Sequence, residues 1–411
     1  MWKRLLQWLG TDHKSNSKAT RYPARRTAIL SVEQLESRLQ PATYYWVGGA
    51  AGNPLDWSEA ANWTQGGGRP AKSPPDDRDT AVFNSLFALV PKSSVDVRFE
   101  GEVKGLEIRD LAIDLRRTLV VGSTFRQDGG SITGQGDLRL KSATDDPSWL
   151  AGTWSGVGRT IIEANAKLLI ADSGARGQPV LDGREIIVRP GGEAVWAGML
   201  EFQNSAALTI QKNGRVLAGS GAEIQLTGSG TLTNRGQFTN DTLGKTTIQV
   251  PFKNFRGDVF LKRGTLSLKE FVFAAGDVSG SADLEVTNKL QWSGGTMGTT
   301  VGRIGAATLA DVAEGEITGD AVIGRFHFFN HGSIVAHDLA RGFLIRDDGL
   351  FRNEANGEFE LTDSSGISGN GEFVNRGYFL KSGGSTSVIR SDFRTLASSQ
   401  IVISTGSKLA L

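Results

Sequence analysis

The segment F-V-N-R-G-Y-F at Phe373–Phe379 is one copy of a phrase that the chain keeps repeating: an aromatic or aliphatic residue, then Asn, then Gly, then a short apolar strand. Close copies are L-T-N-R-G-Q-F at Leu232–Phe238 and F-F-N-H-G-S-I-V at Phe328–Val335. Looser ones begin at Phe252 (F-K-N-F-R-G-D-V-F) and Phe351 (F-R-N-E-A-N-G-E-F). The Asn-to-Asn steps are 20 residues from Asn234 to Asn254, 23 from Asn330 to Asn353 and 22 from Asn353 to Asn375. A period in this range marks a solenoid, in which each repeat covers its neighbour's apolar face. Such a rung suits three short strands and three turns, so the reading is an all-β, right-handed parallel β-helix. Residues 94–411 then give roughly 15 rungs and a stack about 70 Å long at an inter-strand spacing of about 4.8 Å. The repeated Gly is expected at turn positions with positive φ. The Asn is expected to form a ladder, its amide bonding to adjacent rungs.

The rest of the chain fits this pattern. Apolar residues alternate with period 2 from Val95 to Ile108, Leu111 to Leu115 and Ala207 to Gln211. A second phrase, W-S-G or a relative, recurs at Thr153–Gly158, Val195–Met199 and Trp292–Gly298, and Phe125–Leu138 has the same shape. A third, G-T-L-S-L at Gly264–Leu268, is echoed by the final G-S-K-L-A-L. The last strand has no cap-like segment after it. An open stack end leaves edge groups free to pair, so a chain that is cut short there is expected.

Composition narrows the function classes. Glycine, at 53 of 411 residues, is nearly twice its usual share of about 7 per cent, while only 11 prolines occur. That combination means many short strands and tight turns. There is no cysteine, which excludes disulfides, thiolate metal sites and thiol catalysis. A net charge of +1 gives no bulk attraction to nucleic acid or membrane. No stretch approaches 18 apolar residues, so stable transmembrane insertion is not expected.

Three regions are expected. Residues 1–41 are a basic leader, unstructured or short-helical, with eight Lys/Arg against three acids; the remaining chain has 37 basic and 41 acidic residues. Trp2, Leu5, Leu6 and Leu9, and then Ile29, Val32, Leu35 and Leu39, fall at helical spacing, with Ser31 and Gln34 as a capping box and Pro41 as the stop. An ordinary secretion signal needs an apolar core of about 7–15 residues, which the leader lacks. The run after Arg25-Arg26 is short for a twin-arginine signal. Residues 42–93 form a Trp/Gly-rich cap, and residues 94–411 form the β-helix.

Two segments resemble known families. R-R-T-A-I-L-S-V-E-Q-L-E-S-R-L-Q-P-A at Arg25–Ala42 resembles the LEPR-XLL element at the head of large planctomycete surface proteins, matching at Leu35, Glu36, Arg38 and Leu39. Ser37 and Gln40 depart from that pattern. Residues 44–84 resemble the opening module of bacterial surface β-solenoids, including autotransporter-associated repeat proteins and some dockerin-bearing proteins. The matching positions are Trp46, Gly48, Gly49, Trp57, Ser58, Asn62, Trp63, Pro75, Asp79, Ala81 and Phe83. The resemblance implies an exported, extracellular or envelope protein.

Candidate chemistry is sparse. The chain has no G-x-S-x-G, H-E-x-x-H, Walker or G-x-G-x-x-G motif. His327, His331 and His337 are spaced so that a fold bringing their imidazoles together makes a metal or acid–base site; the alternative is separate turn and strand positions. Asp145-Asp146 and Arg346-Asp347-Asp348 are the candidates for polysaccharide cleavage, although adjacent Asp pairs are commonly turns. Asp76, Asp77 and Asp79 are candidates for calcium, against the simpler reading of a loop feeding Ala81–Phe83. None of these is assigned as a catalytic, cofactor or metal residue, and no cofactor is expected.

The leading functional expectation is a non-enzymatic structural or adhesive surface solenoid, with extracellular polysaccharide or envelope components as partners. The alternative is a carbohydrate-active enzyme or glycan-binding module on the same helix. Three carboxylates from adjacent rungs converging with an Arg or Lys would favour the enzyme.

Overall fold

The computed structural model describes residues 41–89, 94–98, 100–141, 147–174, 176–219, 223–298, 304–339 and 341–411. The leader, with its two helical patches, and Asp145-Asp146 lie outside these residues. The described chain is all-β, a solenoid of about 14 turns. Its one helical element is a 3-10 turn at Ala60–Asn62.

Every rung contributes to three parallel walls. Wall 1 contains Thr80–Phe83, Lys167–Ala171, Glu193–Ala197 and Arg215–Gly219. Wall 2 contains Ser94–Val97, Ala112–Leu115, Phe326–Asn330, Leu350–Asn353, Glu372–Asn375 and Asp392–Thr395. Wall 3 contains Glu185–Val188, Ser333–Ala336, Glu358–Leu361, Tyr378–Lys381 and Gln400–Ile403. The register within each wall is parallel, as in Asn330↔Asn353↔Asn375 on wall 2 and Leu232↔Phe252, Asn234↔Asn254 on wall 3. Alternate side chains point inward, so period-2 apolar residues build one core. Phe328, Phe351, Phe373 and Phe393 stack along wall 2 at centroid distances of 5.3, 4.8 and 5.5 Å.

The repeated phrase occupies two different corners. Asn234 and Asn254 close wall 3, where the chain turns onto wall 1. Asn330, Asn353 and Asn375 close wall 2, where it turns onto wall 3. The tryptophan phrase is likewise dispersed: Trp196 belongs to wall 1, Trp154 pairs with wall 2 strands and Trp292 pairs with wall 3 strands.

The asparagine ladders form as expected. Asn234 Nδ2 donates to Asn254 Oδ1 at 2.7 Å. Asn330 Nδ2 donates to Asn353 Oδ1 at 2.8 Å, and Asn353 Nδ2 to Asn375 Oδ1 at 2.9 Å. All five are fully buried. The glycine expectation holds for Gly156, Gly198, Gly264, Gly295 and Gly298 but needs correction for the asparagine phrase. Gly236, Gly257, Gly332, Gly357 and Gly377 do not have positive φ. They are required because the turns stack too closely for a side chain. A Cβ on Gly332 would meet the Ala313 carbonyl at 2.2 Å, and one on Gly377 would meet the Glu354 carbonyl at 2.2 Å.

The N-terminal end is built differently. Thr43–Trp46 pairs parallel with Thr80–Phe83 on one side and antiparallel with Trp63–Gln65 on the other. A hairpin strand thus occupies the edge of the first turn, where parallel pairing would otherwise continue. Trp63 packs against Trp46, Trp57 and Phe83 at 5.0, 4.8 and 5.4 Å, all four being buried. Asn62 holds the loop beneath, accepting from the Ala50 amide and donating to the Asn53 and Asp56 carbonyls.

One core feature escaped the sequence reading. Arg184 is fully buried and donates to Thr160 Oγ1 and to the carbonyls of Gly136, Ser155 and Arg159. Burial pushes its pKa down to about 10, partly offset by Asp137. It satisfies turn carbonyls from neighbouring rungs, so a buried cation does structural duty here.

Candidate functional site

The sequence candidates do not assemble into one site. Asp79 accepts from the Ala42 and Asp76 amides, and Asp76 pairs with Arg78 at 2.7 Å. They shape the loop before Ala81–Phe83, in line with the simpler reading. Asp347 and Asp348 have φ of 55° and 63° and are exposed. They form a tight turn, with Arg346 at 3.4 Å from Asp347.

The three histidines are held apart, at separate turn and strand positions, which is the alternative given above. His327 faces outward on wall 2, beside Phe329. Burial and the nearby Arg352 hold its pKa below the usual imidazole value. His331 sits at the corner after wall 2, with Nδ1 at 3.6 Å from Asp311. His337 sits at the corner after wall 3, between Asp338 at 2.9 Å and Glu316 at 3.0 Å. Hydrogen bonding to Asp338, and then to Glu316, raises its pKa. Strand length and wall geometry separate what sequence spacing brought near. Among the described residues no group of three or more His, Asp or Glu is placed to hold a metal ion.

The most distinctive surface feature is a groove of about 850 Å³ at the wall 3–wall 1 corner, lined by Lys212, Arg235, Phe255, Arg256, Ala274 and Ala275. Register explains the lining. Ile210, Asn234 and Asn254 stack on one another, so the residues that follow each of them project from successive corners. Lys212, Arg235 and Arg256 are exposed, whereas Phe255 and the two alanines are half-buried.

The buried ladder fixes this corner from below. Asn234 accepts from the Gly236 amide and donates to the Asp258 carbonyl. Asn254 donates to the carbonyls of Gly257 at 2.7 Å and Ala275 at 2.8 Å. The phrases N-R-G and N-F-R-G therefore join a backbone clip to a solvent-facing arginine. Arg256 stands at φ +71°, in the left-handed region. The other non-glycine residues with positive φ are Asn, Asp and a single Ser. Arginine gains no local hydrogen bond there, so this corner is strained.

Electrostatics set these corners apart from their neighbours in the same column. Glu163 is neutralised by Arg139 at 2.5 Å and Arg189 at 2.9 Å. His337, further along, is held by two carboxylates. Lys212, Arg235 and Arg256 form no ion pair among the described residues. Asp258 and Asp277 follow Arg256 and Ala275 by two residues each; burial, and then Asp258, push the Asp277 carboxyl above its usual range. The sequence carried a readable signal for part of this groove, namely that Arg235 and Arg256 follow successive ladder asparagines, whereas Lys212 follows Ile210-Gln211. Their lack of ion-pair partners among the described residues depends on the register of walls 1 and 3.

No protein-family model, curated protein or solved structure matches the chain.

Proposed function

We propose that this chain is an exported structural or adhesive β-solenoid of the cell surface or envelope, acting through its long outer walls. The observation that carries the reading is the continuous parallel stack of about 14 turns, with an antiparallel, tryptophan-packed first edge. In such a fold each turn needs only its neighbours, so length is gained cheaply and the outer surface is rigid and repetitive. The resemblances of Arg25–Ala42 and of residues 44–84 to segments of surface proteins support export. No helix of the described residues is long and apolar enough to cross a membrane. The partners that suit the reading are extracellular polysaccharides or envelope components.

The enzymatic alternative draws less support. Its candidate Asp347-Asp348 pair lies in a tight exposed turn, apart from the three histidines. The test is fractionation of source cells carrying a tag within residues 94–411, together with protease accessibility on intact cells. Recovery in the envelope or medium is expected, and recovery from cytosol alone overturns the proposal. A glycan array on the purified chain then separates an adhesive from an inert scaffold.

A further inference from the structure

We infer that the corner bearing Lys212, Arg235 and Arg256 is a binding groove for an acidic polysaccharide, a chain of sugar rings carrying carboxylate or sulfate groups. The choice of a glycan rests on the surface reading above.

Four observations converge. The three cations lie on three successive turns of one corner, whose strands stack about 4.8 Å apart, and so gather positive charge along the stack, as a linear polyanion requires. They have no ion-pair partner among the described residues, while Glu163 and His337 in the same column are neutralised. Charges left unpaired in a groove are available to a ligand at no cost of breaking an internal pair. Phe255, Ala274 and Ala275 give the groove an apolar floor, suited to the C–H face of a sugar ring. The corner is also preorganised. The amides of Asn234 and Asn254 clip its carbonyls, and Arg256 is held at a φ that disfavours its side chain. Strain kept at an exposed cation, on a fully bonded support, is the pattern of a positioned binding residue.

A nucleic acid fits less well. A single-stranded binder needs a row of aromatic platforms, and this groove has one ring. Asp258 and Asp277 follow the lining residues Arg256 and Ala275 by two positions each, and residues 42–411 carry 41 acids against 37 bases. A dense phosphate backbone would meet that repulsion along its length, whereas a polysaccharide places one anion per ring or per pair of rings and presents apolar faces between them.

The test is calorimetric titration of the full chain with polygalacturonate oligomers, dextran sulfate, neutral dextran and oligo-dT. At least one acidic glycan is expected to bind, with affinity falling as salt rises; whichever acidic probe binds more tightly identifies the anion. Lys212→Gln, Arg235→Gln and Arg256→Gln combined are expected to weaken binding about tenfold or more, since three exposed charge contacts are lost. Phe255→Ala is expected to weaken it several-fold. Arg376→Gln, at the wall 2–wall 3 corner, is the charge control and should leave binding unchanged. All the substituted side chains are exposed or half-buried, and circular dichroism melts confirm that each variant folds. The inference is overturned if neither acidic glycan binds, if the triple variant and the Arg376 control behave alike, or if oligo-dT binds more tightly than both glycans. A chain confined to the cytosol that still binds through these residues overturns the surface reading and keeps the groove. A surface-located chain that binds neither glycan overturns the groove alone.

Discussion

At the corner after wall 3, Asn234 and Asn254 support Arg235 and Arg256, which face solvent without an ion pair among the described residues. At the corner after wall 2, Asn330, Asn353 and Asn375 support His331, Glu354 and Arg376, and there the charges find partners. Glu354 is bound by Arg352 and lies 3.6 Å from Arg376, while Arg352 covers the ring of Phe329 at 4.4 Å. His331 lies beside Asp311. The two ladders share one local chemistry: buried amides bonded to each other and to the next turn's carbonyls, over glycines with no room for a Cβ. They differ only in what the intervening residue presents. The ladder is thus a mounting device, and the two corners differ in whether their outward charges are already satisfied.

The comparison can be broken first at the amides. Asn353→Ala removes links to both Asn330 and Asn375, leaves Asn375 Oδ1 without its donor and loses the bonds to the Gly357 and Tyr378 carbonyls, so a loss of about 2–4 kcal/mol is expected in denaturant unfolding. Asn254→Ala breaks one amide–amide link and should cost less. If Asn254 costs as much as Asn353, the ladders are not graded by their number of links. Of these two variants only Asn254→Ala is expected also to weaken acidic-glycan binding, because Asn353 lies at the other corner.

Next come the corner glycines. Gly377→Ala forces a Cβ against the Glu354 and Gly357 carbonyls, and Gly257→Ala forces one against the Asn234 side chain, 2.5 Å away. Overpacking of this kind costs about 1–3 kcal/mol. Gly377→Ala is expected to be the worse, since stacked backbone moves less readily than a side chain. Equal melting temperatures for the two variants would remove that distinction.

Arg256→Gly sharpens the contrast in the opposite direction. Relief of the positive φ is expected to stabilise the chain by up to about 1 kcal/mol, while binding weakens. Arg376→Gly relieves no such strain and loses an ion pair, so a small destabilisation is expected. A destabilised Arg256→Gly would show that the left-handed corner stores no strain.

The smallest effects are expected from pH. His337, with its pKa raised by Asp338 and Glu316, contributes stability that is complete below the unfolded value of about 6.5 and is lost as pH rises through the folded value. His327, lowered by burial and Arg352, acts in reverse, and its contribution is lost as pH falls through the window between its folded and unfolded values. NMR titration should place His337 above, and His327 below, a model imidazole. The opposite order would contradict the environments described for the two walls.

Much of this was legible in the residues. The period from Asn330 to Asn353 to Asn375 gave the solenoid, and the asparagine repeated after each aromatic residue made an amide ladder the natural partner for stacked corners. The role of its glycine was misread. Gly is commonly read as a conformational residue, whereas here the constraint comes from the turn beneath, which no single repeat contains. The histidines stay apart for a related reason: His331 and His337 are near in sequence but belong to different corners. Arg184 was hidden because its four partners come from earlier rungs.

Local pattern alone determined the alternation of buried and exposed side chains, the turn-forming phrases and the need for each repeat to stack, since these depend on residues within one rung. Only the tertiary structure decided which wall each phrase joined and which charges found partners. Wall identity follows from the accumulated lengths of successive turns, and charge neutralisation from residues some twenty positions apart that stacking brings within a few ångströms.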